Sequence, residues 1–267
     1  MTSAPVSDTW ERGNPYEQYV GRWSRQVAPR FLSWLNVPPQ QRWLDVGCGT
    51  GALSAAILDS CSPVSVAGVE PSEGFLQKAK DQLAGQVLLS RGNAEQIPLE
   101  DGAVDVAVSG LVLNFVPDAR AALREMARVT GAGGTIAAYV WDYSGKMEMM
   151  RHFWDAAVEI DPAAAKADEG ARFPLCRPDA LAELFAVAGL GGIEVTSIDI
   201  TTAFASFDEY WRPFLGGQGP APAYAMAQGE KARADLRDRI RARLPLRADG
   251  SLSLIARAWA VRGAIAG

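Results

Sequence analysis

Between Trp43 and Ser54 the chain reads WLDVGCGTGALS, with three glycines at alternate positions and Asp45 two residues ahead of the first. An apolar run on one side and small residues on the other make this a strand, a bare turn and the start of a helix. Glycine lets a ligand touch the backbone, and a helix start offers unpaired N–H groups. Such a corner suits an anion or a ribose. Glu70 lies 21 residues after Gly49, where a carboxylate can hold both hydroxyls of a ribose. Gly47, Gly49 and Ala52 satisfy the loose dinucleotide pattern G-x-G-x-x-G/A, so an NAD(P) oxidoreductase is one reading of the loop.

Asp45 separates the readings. It would repel a pyrophosphate entering the turn. An α-amino acid end is different: its ammonium group suits the charge, and its carboxylate can take the helix N–H groups. S-adenosylmethionine has that end, a ribose for Glu70, and no phosphate.

Four segments in order, LDVGCGTG, GVEPS, RGNAEQIPLEDGAVDVAVS and FVPDARAALREMARVTGAGGTI, resemble class I S-adenosylmethionine-dependent methyltransferases. They are most similar to the small-molecule enzymes called type 11. The likeness covers roughly residues 12–142. It implies a methyltransferase that releases S-adenosylhomocysteine. By this resemblance Asp45, Gly47, Cys48, Gly49 and Gly51 wrap the methionine part and Glu70 holds the ribose. Pro71 and Ser72 form the adenine-side turn, and Asn93 and Ala94 read the adenine edge. Ser109, Gly110 and Leu111 form the floor beneath the sulfonium. The family usually has aspartate where Asn93 stands; the amide oxygen can still accept from the adenine amino group. A non-catalytic binding protein on the same fold is a further alternative, because fold does not fix function.

A sulfonium methyl is already activated, so transfer asks mainly for an aligned nucleophile. In keeping with that, the sequence shows no obvious catalytic set. His152 is the single histidine and the one weak candidate for a general base. One histidine and scattered cysteines make no metal cluster. After the fourth expected strand stands SGLVLNF rather than the Asn/Asp-Pro-Pro-Tyr/Phe of amino-methylating family members, and no Pro-Cys pair offers a nucleophile for cytosine. With a net charge of −5, these absences argue against a nucleic-acid partner. Aromatic residues point instead to an apolar or aromatic small substrate. Tyr16, Tyr19 and Trp23 share a helical face, while Phe115, Trp141, Tyr143, Phe153, Trp154, Trp211 and Phe214 fall in segments expected near the carboxyl ends of the strands. The Gly/Pro-rich stretch FLGGQGPAPAY predicts that Trp211 to Tyr224, with the amino-terminal helix, closes over the substrate as a lid.

The elements that must position these residues follow from periodicity. Apolar residues three to four apart from Pro15 to Leu35 predict a helix interrupted at Pro29. Short apolar runs then alternate with helical stretches, which predicts right-handed βαβ units. The fold expected is α/β, a doubly wound, mostly parallel, seven-stranded Rossmann-like sheet with helical lids at the amino terminus and between the last two strands. The expected division is a cap over 1–40, a cofactor core over 41–142 and a segment completing the sheet over 143–202. A lid insertion over 203–250 and a final strand over 251–267 follow. The odd count of three cysteines and the lack of a long apolar run predict a cytoplasmic, non-membrane protein.

Overall fold

The computed structural model describes residues 21–217 and 219–267. Tyr16 and Tyr19 lie outside them. Seven strands form one sheet in the order β3-β2-β1-β4-β5-β7-β6. They are β1 (Arg42–Val46), β2 (Ser65–Glu70), β3 (Leu88–Arg91), β4 (Val104–Gly110), β5 (Thr130–Trp141), β6 (Gly191–Phe204) and β7 (Leu252–Ala264). Strands β1 to β5 pair in parallel. The last two form a long antiparallel pair, and β7 also pairs antiparallel with β5.

Burial on both faces explains the apolar runs of the central strands. Trp43, Val106, Val108, Tyr139 and Trp141 face one side, where they meet α1 (Arg22–Leu35), α2 (Ala52–Ser60), α3 (Glu73–Leu83) and α5 (Glu148–Ile160). Leu44, Val46, Ala107, Ala138 and Val140 face the other, under α4 (Ala119–Val129) and α6 (Pro178–Val187). The insertion before β7 carries three further helices, α7 (Phe207–Trp211), α8 (Pro220–Ala227) and α9 (Glu230–Arg243).

One local expectation needs correction. Helix α1 runs through Pro29 rather than breaking there. Val27, Ala28, Phe31 and Leu32 flank the proline and are buried, and their packing, worth about 1.5–3 kcal/mol per large side chain, offsets the ~3 kcal/mol that an interior proline costs. Between Phe173 and Pro178 the chain makes a single 3-10 turn at Pro174–Cys176. Elsewhere the ends follow from caps. Ser72 accepts from the Phe75 N–H at the start of α3, and Asp118 accepts from the Ala121 N–H at the start of α4.

The connection from β3 to β4 is pinned from behind. Arg128 donates to the carbonyls of Leu99 and Ile97 at 2.8 and 2.9 Å, and Glu125 accepts from the Ile97 N–H at 2.9 Å. That clamp fixes the exit of β3, where Asn93, Ala94 and Glu95 reach the cavity described next.

Candidate active site

The strand order reverses between β1 and β4, and in open α/β sheets such a crevice is where ligands bind. A cavity of about 320 Å³ lies there, running along the carboxyl ends of β3, β2, β1, β4 and β5. Its size falls in the range of small-molecule sites.

The glycine turn forms one wall. The N–H groups of Gly47 and Cys48 both donate to the Val69 carbonyl, at 2.8 and 3.1 Å, which ties the loop to β2. Gly49 adopts φ +57°, and a Cβ built on it would meet nothing closer than 4.0 Å. The space beside it is the cavity. Gly47, by contrast, is crowded, since a Cβ there would lie 2.6 Å from the Val112 side chain. Gly51 caps α2 with φ +91° and packs on Leu83; it supports the turn without lining the cavity.

Glu70 ends β2 and is buried. Its Oε2 accepts from the Gly49 N–H at 3.0 Å and its Oε1 from the Ser72 N–H at 2.9 Å. A carboxylate has about four acceptor positions, so each oxygen keeps one for a ligand hydroxyl. Burial pushes its carboxyl up, and the two backbone N–H groups pull it part of the way back. Asp45 is buried more deeply and accepts from the Ser54 hydroxyl at 2.7 Å. Burial pushes Asp45 up to about 7, opposed by Ser54 and reinforced by the negative charge of Glu70. The Cys48 thiol is pushed far above its usual range by burial and these two acids. The cavity walls therefore include the carboxyls of Asp45, Glu70 and Glu95, and no lysine, arginine or histidine among the described residues.

Residues 44–138 match the family described as methyltransferase domain. The match runs from β1 into β5. Over 112 residues the chain is 38% identical to a malonyl-[acyl-carrier protein] O-methyltransferase of Serratia marcescens, covering 42% of this chain and 43% of that protein. Over 118 residues it is 38% identical to a demethylmenaquinone methyltransferase of Geobacillus kaustophilus, covering 42% of this chain and 49% of that one. The chain thus spans less than half the length of these curated relatives. A solved structure from Bacillus halodurans, assigned provisionally as a methyltransferase, superposes with a TM-score of 0.60 at 14% identity, covering 91% of this chain and all of that one. At that identity the likeness is one of fold.

Asp45, Gly47, Cys48, Gly49, Glu70, Pro71, Ser72, Asn93, Ala94, Gly110 and Leu111 share the cavity, joined by Phe115, Trp141 and Tyr143. Ser109 does not reach it; its hydroxyl donates to the Val46 carbonyl at 3.0 Å inside the sheet. Leu111 holds φ +63°, and its N–H donates to the Tyr139 carbonyl at 2.7 Å. A leucine in the left-handed region is strained, and such strain collects at ligand sites. Gly110 must lack a side chain because a Cβ would lie 2.6 Å from the Tyr139 hydroxyl.

His152 sits on α5, away from the cavity walls. Burial holds its pKa below the usual value. Trp23 is also outside the cavity, packed edge-on against Phe204 at 5.6 Å. Trp211 joins Phe153, Phe214 and Tyr224 in a separate aromatic cluster, with Phe153 stacked on Phe214 at 4.6 Å. No described residue of 203–250 lines the cavity. The insertion packs on α5 through its aromatic side chains. Trp211→Phe should accordingly leave cofactor affinity within about twofold, since distant sites act independently; a titration of the variant checks this.

Sequence reading missed several walls. Ser24, Thr50, Phe75, Glu95, Val112 and Tyr139 all line the cavity. Tyr139 carried a signal, since it stands two residues before Trp141 on one strand and so shares its face. Ser24, set among the buried residues of α1, carried none.

The buried acids predict a pH dependence. Asp45, ordinarily near 3.8, is pushed up to about 7, and Glu169, buried beside the Trp154 indole, rises from 4.5 to about 7. A carboxyl whose folded pKa is raised binds its proton more tightly in the folded protein, so its contribution favours the fold at low pH and is lost as pH rises toward 7. Asp105 and Asp199, held low by Arg42 and Arg257, oppose this only below the usual carboxylate range, while His152, held below 6.5 by burial, offsets part of it under that pH. The Tm of the ligand-free protein should therefore rise as the pH is lowered from 8 to 5, and Asp45→Asn should flatten the rise. Melting curves at several pH values check both.

Proposed function

We propose that this chain is an S-adenosylmethionine-dependent methyltransferase acting on a small apolar or aromatic molecule. The observation that carries the reading is the charge of the cavity. Asp45, Glu70 and Glu95 stand in its walls with no cationic side chain among the described residues. Such walls favour a ligand bearing an ammonium and a sulfonium, and oppose the pyrophosphate of a dinucleotide. When bound, the cofactor would supply a methyl group already activated on sulfur.

The chain's own work is then to hold and orient. The free acceptor positions of Glu70 suit the ribose hydroxyls, and the open space beside Gly49 suits the amino-acid end near Asp45. Asn93 and Ala94 lie at the exit of β3, where an adenine edge would be read. Leu111, Phe115, Tyr139, Trp141 and Tyr143 give the β4–β5 side an aromatic character suited to the acceptor and to excluding water. The two curated relatives are named for small or carrier-bound acceptors, which is in keeping with this reading.

The test is turnover. Incubation with methyl-labelled S-adenosylmethionine and a small-molecule extract should place the label in apolar, solvent-extractable products. Label retained in the cofactor, despite tight binding, would make the chain a binding protein. Label in nucleic acid would overturn the substrate class.

A further inference from the structure

We propose that Phe173, in the segment between α5 and α6, sets which aromatic acceptors fit the β4–β5 side of the cavity. It is a specificity-determining residue that acts through Phe115 and Tyr143. This rests on the reading above, in which the cofactor takes the β1–β3 side and the acceptor takes this one.

Phe115 and Tyr143 both stand in the cavity wall, and one ring supports them. Phe173 meets Phe115 edge-on at 5.2 Å between ring centres, and meets Tyr143 at 5.8 Å with the planes tilted by 52°. Offset and edge-on contacts of this kind are the favoured ones between aromatic rings. Phe173 itself is buried and is not a wall residue. The two wall rings therefore cannot retreat from the cavity on that side without displacing it. The Arg172 guanidinium lies over the Phe173 ring, 5.3 Å from its centre.

The segment that carries Phe173 is held at both ends. Ahead of it, both oxygens of Asp168 accept from Arg151 of α5, at 2.8 and 2.7 Å. Arg151 Nη1 also donates to the Tyr143 carbonyl at 3.0 Å. A Cβ on Gly170 would lie 2.7 Å from that nitrogen and from that carbonyl oxygen, so the chain passes this close only as glycine. Beyond Phe173, the Cys176 sulfur accepts from the Asn114 amide at 3.5 Å and from the Tyr143 backbone. Tyr143 is thus tied to the segment by its own backbone, and Phe115 by its chain neighbour.

Position along the chain agrees. The residues given to the cofactor, from Asp45 to Leu111, all fall within 44–138, the part that matches the methyltransferase domain family. Tyr143, Arg151 and Phe173 fall after it. A family shares its cofactor but not its acceptors, and selectivity belongs to what each member adds to the common fold. Truncating Phe173 would leave a vacancy that the core fills only in part. Phe115 and Tyr143 could then give way to a larger acceptor.

Calorimetry on the full chain saturated with S-adenosylhomocysteine tests this with two neutral probes, 2-naphthol and 9-phenanthrol. Phe173→Ala should raise affinity for the three-ring alcohol relative to the two-ring one by about tenfold or more, the scale on which apolar pockets discriminate by size. Affinity for S-adenosylhomocysteine should stay within about twofold of the parent. Phe173→Leu, which keeps more of the volume, should shift the ratio in the same direction by less. In the unaltered protein, saturating 2-naphthol should slow amide exchange across residues 168–176 by about fivefold or more. An unchanged ratio in a variant that still binds S-adenosylhomocysteine would overturn the proposal. So would a loss shared equally by S-adenosylhomocysteine and both alcohols, which a merely structural role would give, or no binding of 2-naphthol to the loaded parent at millimolar concentration. Should neither variant fold, the exchange measurement decides, and unchanged rates across 168–176 count against the proposal. Failure of S-adenosylhomocysteine to bind the parent would refute the cofactor reading as well; any of the other contrary results refutes this proposal alone.

Discussion

Gly49→Val is expected to lower S-adenosylhomocysteine affinity by about 100-fold or more, a loss of roughly 3 kcal/mol, while the protein remains folded. Two effects act together. The backbone at Gly49 has φ +57°, a left-handed conformation that costs an ordinary residue about 1–2 kcal/mol and a β-branched one more. The side chain would also project into the cavity, because the nearest protein atom beyond its chain neighbours is the Gly47 carbonyl oxygen, 4.0 Å from that position. The native fold therefore tolerates the added volume where a ligand cannot. Strain of this size lowers Tm by several degrees in a chain of this length. Paired titration and melting measurements check it: normal affinity in the variant would make the loop a structural turn only.

Glu70→Ala should weaken cofactor binding by about 1.5–3 kcal/mol, through loss of charge-assisted hydrogen bonds to the ribose. The same carboxylate accepts from the Gly49 and Ser72 N–H groups, so part of the loss comes from a loosened loop. Glu70→Gln separates the two contributions. Its single carbonyl oxygen can keep one loop bond, while its amide presents N–H donors where both hydroxyls and backbone also donate. The glutamine variant should fall between the parent and the alanine variant in affinity. An unchanged affinity in both would place the ribose elsewhere.

Much of this site was legible in the sequence because its parts are local. The glycine spacing, the strand before it and Glu70 at the end of the next strand depend on backbone geometry that neighbouring residues set. What stayed hidden depends on tertiary packing. Ser24 reaches the cavity only because α1 docks across the sheet, and Trp211 leaves it because Phe153 and Phe214 offer a better-packed partner. A Gly/Pro-rich stretch beside aromatic residues reads as a hinged lid from sequence, yet Trp211 and Phe214 pack into the main core against Phe153 of α5. Pro29 misled in the same way, since local propensity there yields to burial along both sides of α1.

The central claim is that the cavity along the carboxyl ends of the strands is built for a sulfonium cofactor and not for a dinucleotide. Calorimetric titration of the purified chain with S-adenosylhomocysteine and, separately, with NADH tests it most directly. The account predicts saturable one-to-one binding of S-adenosylhomocysteine and no saturable response to NADH. Saturable NADH binding with no response to S-adenosylhomocysteine would contradict it.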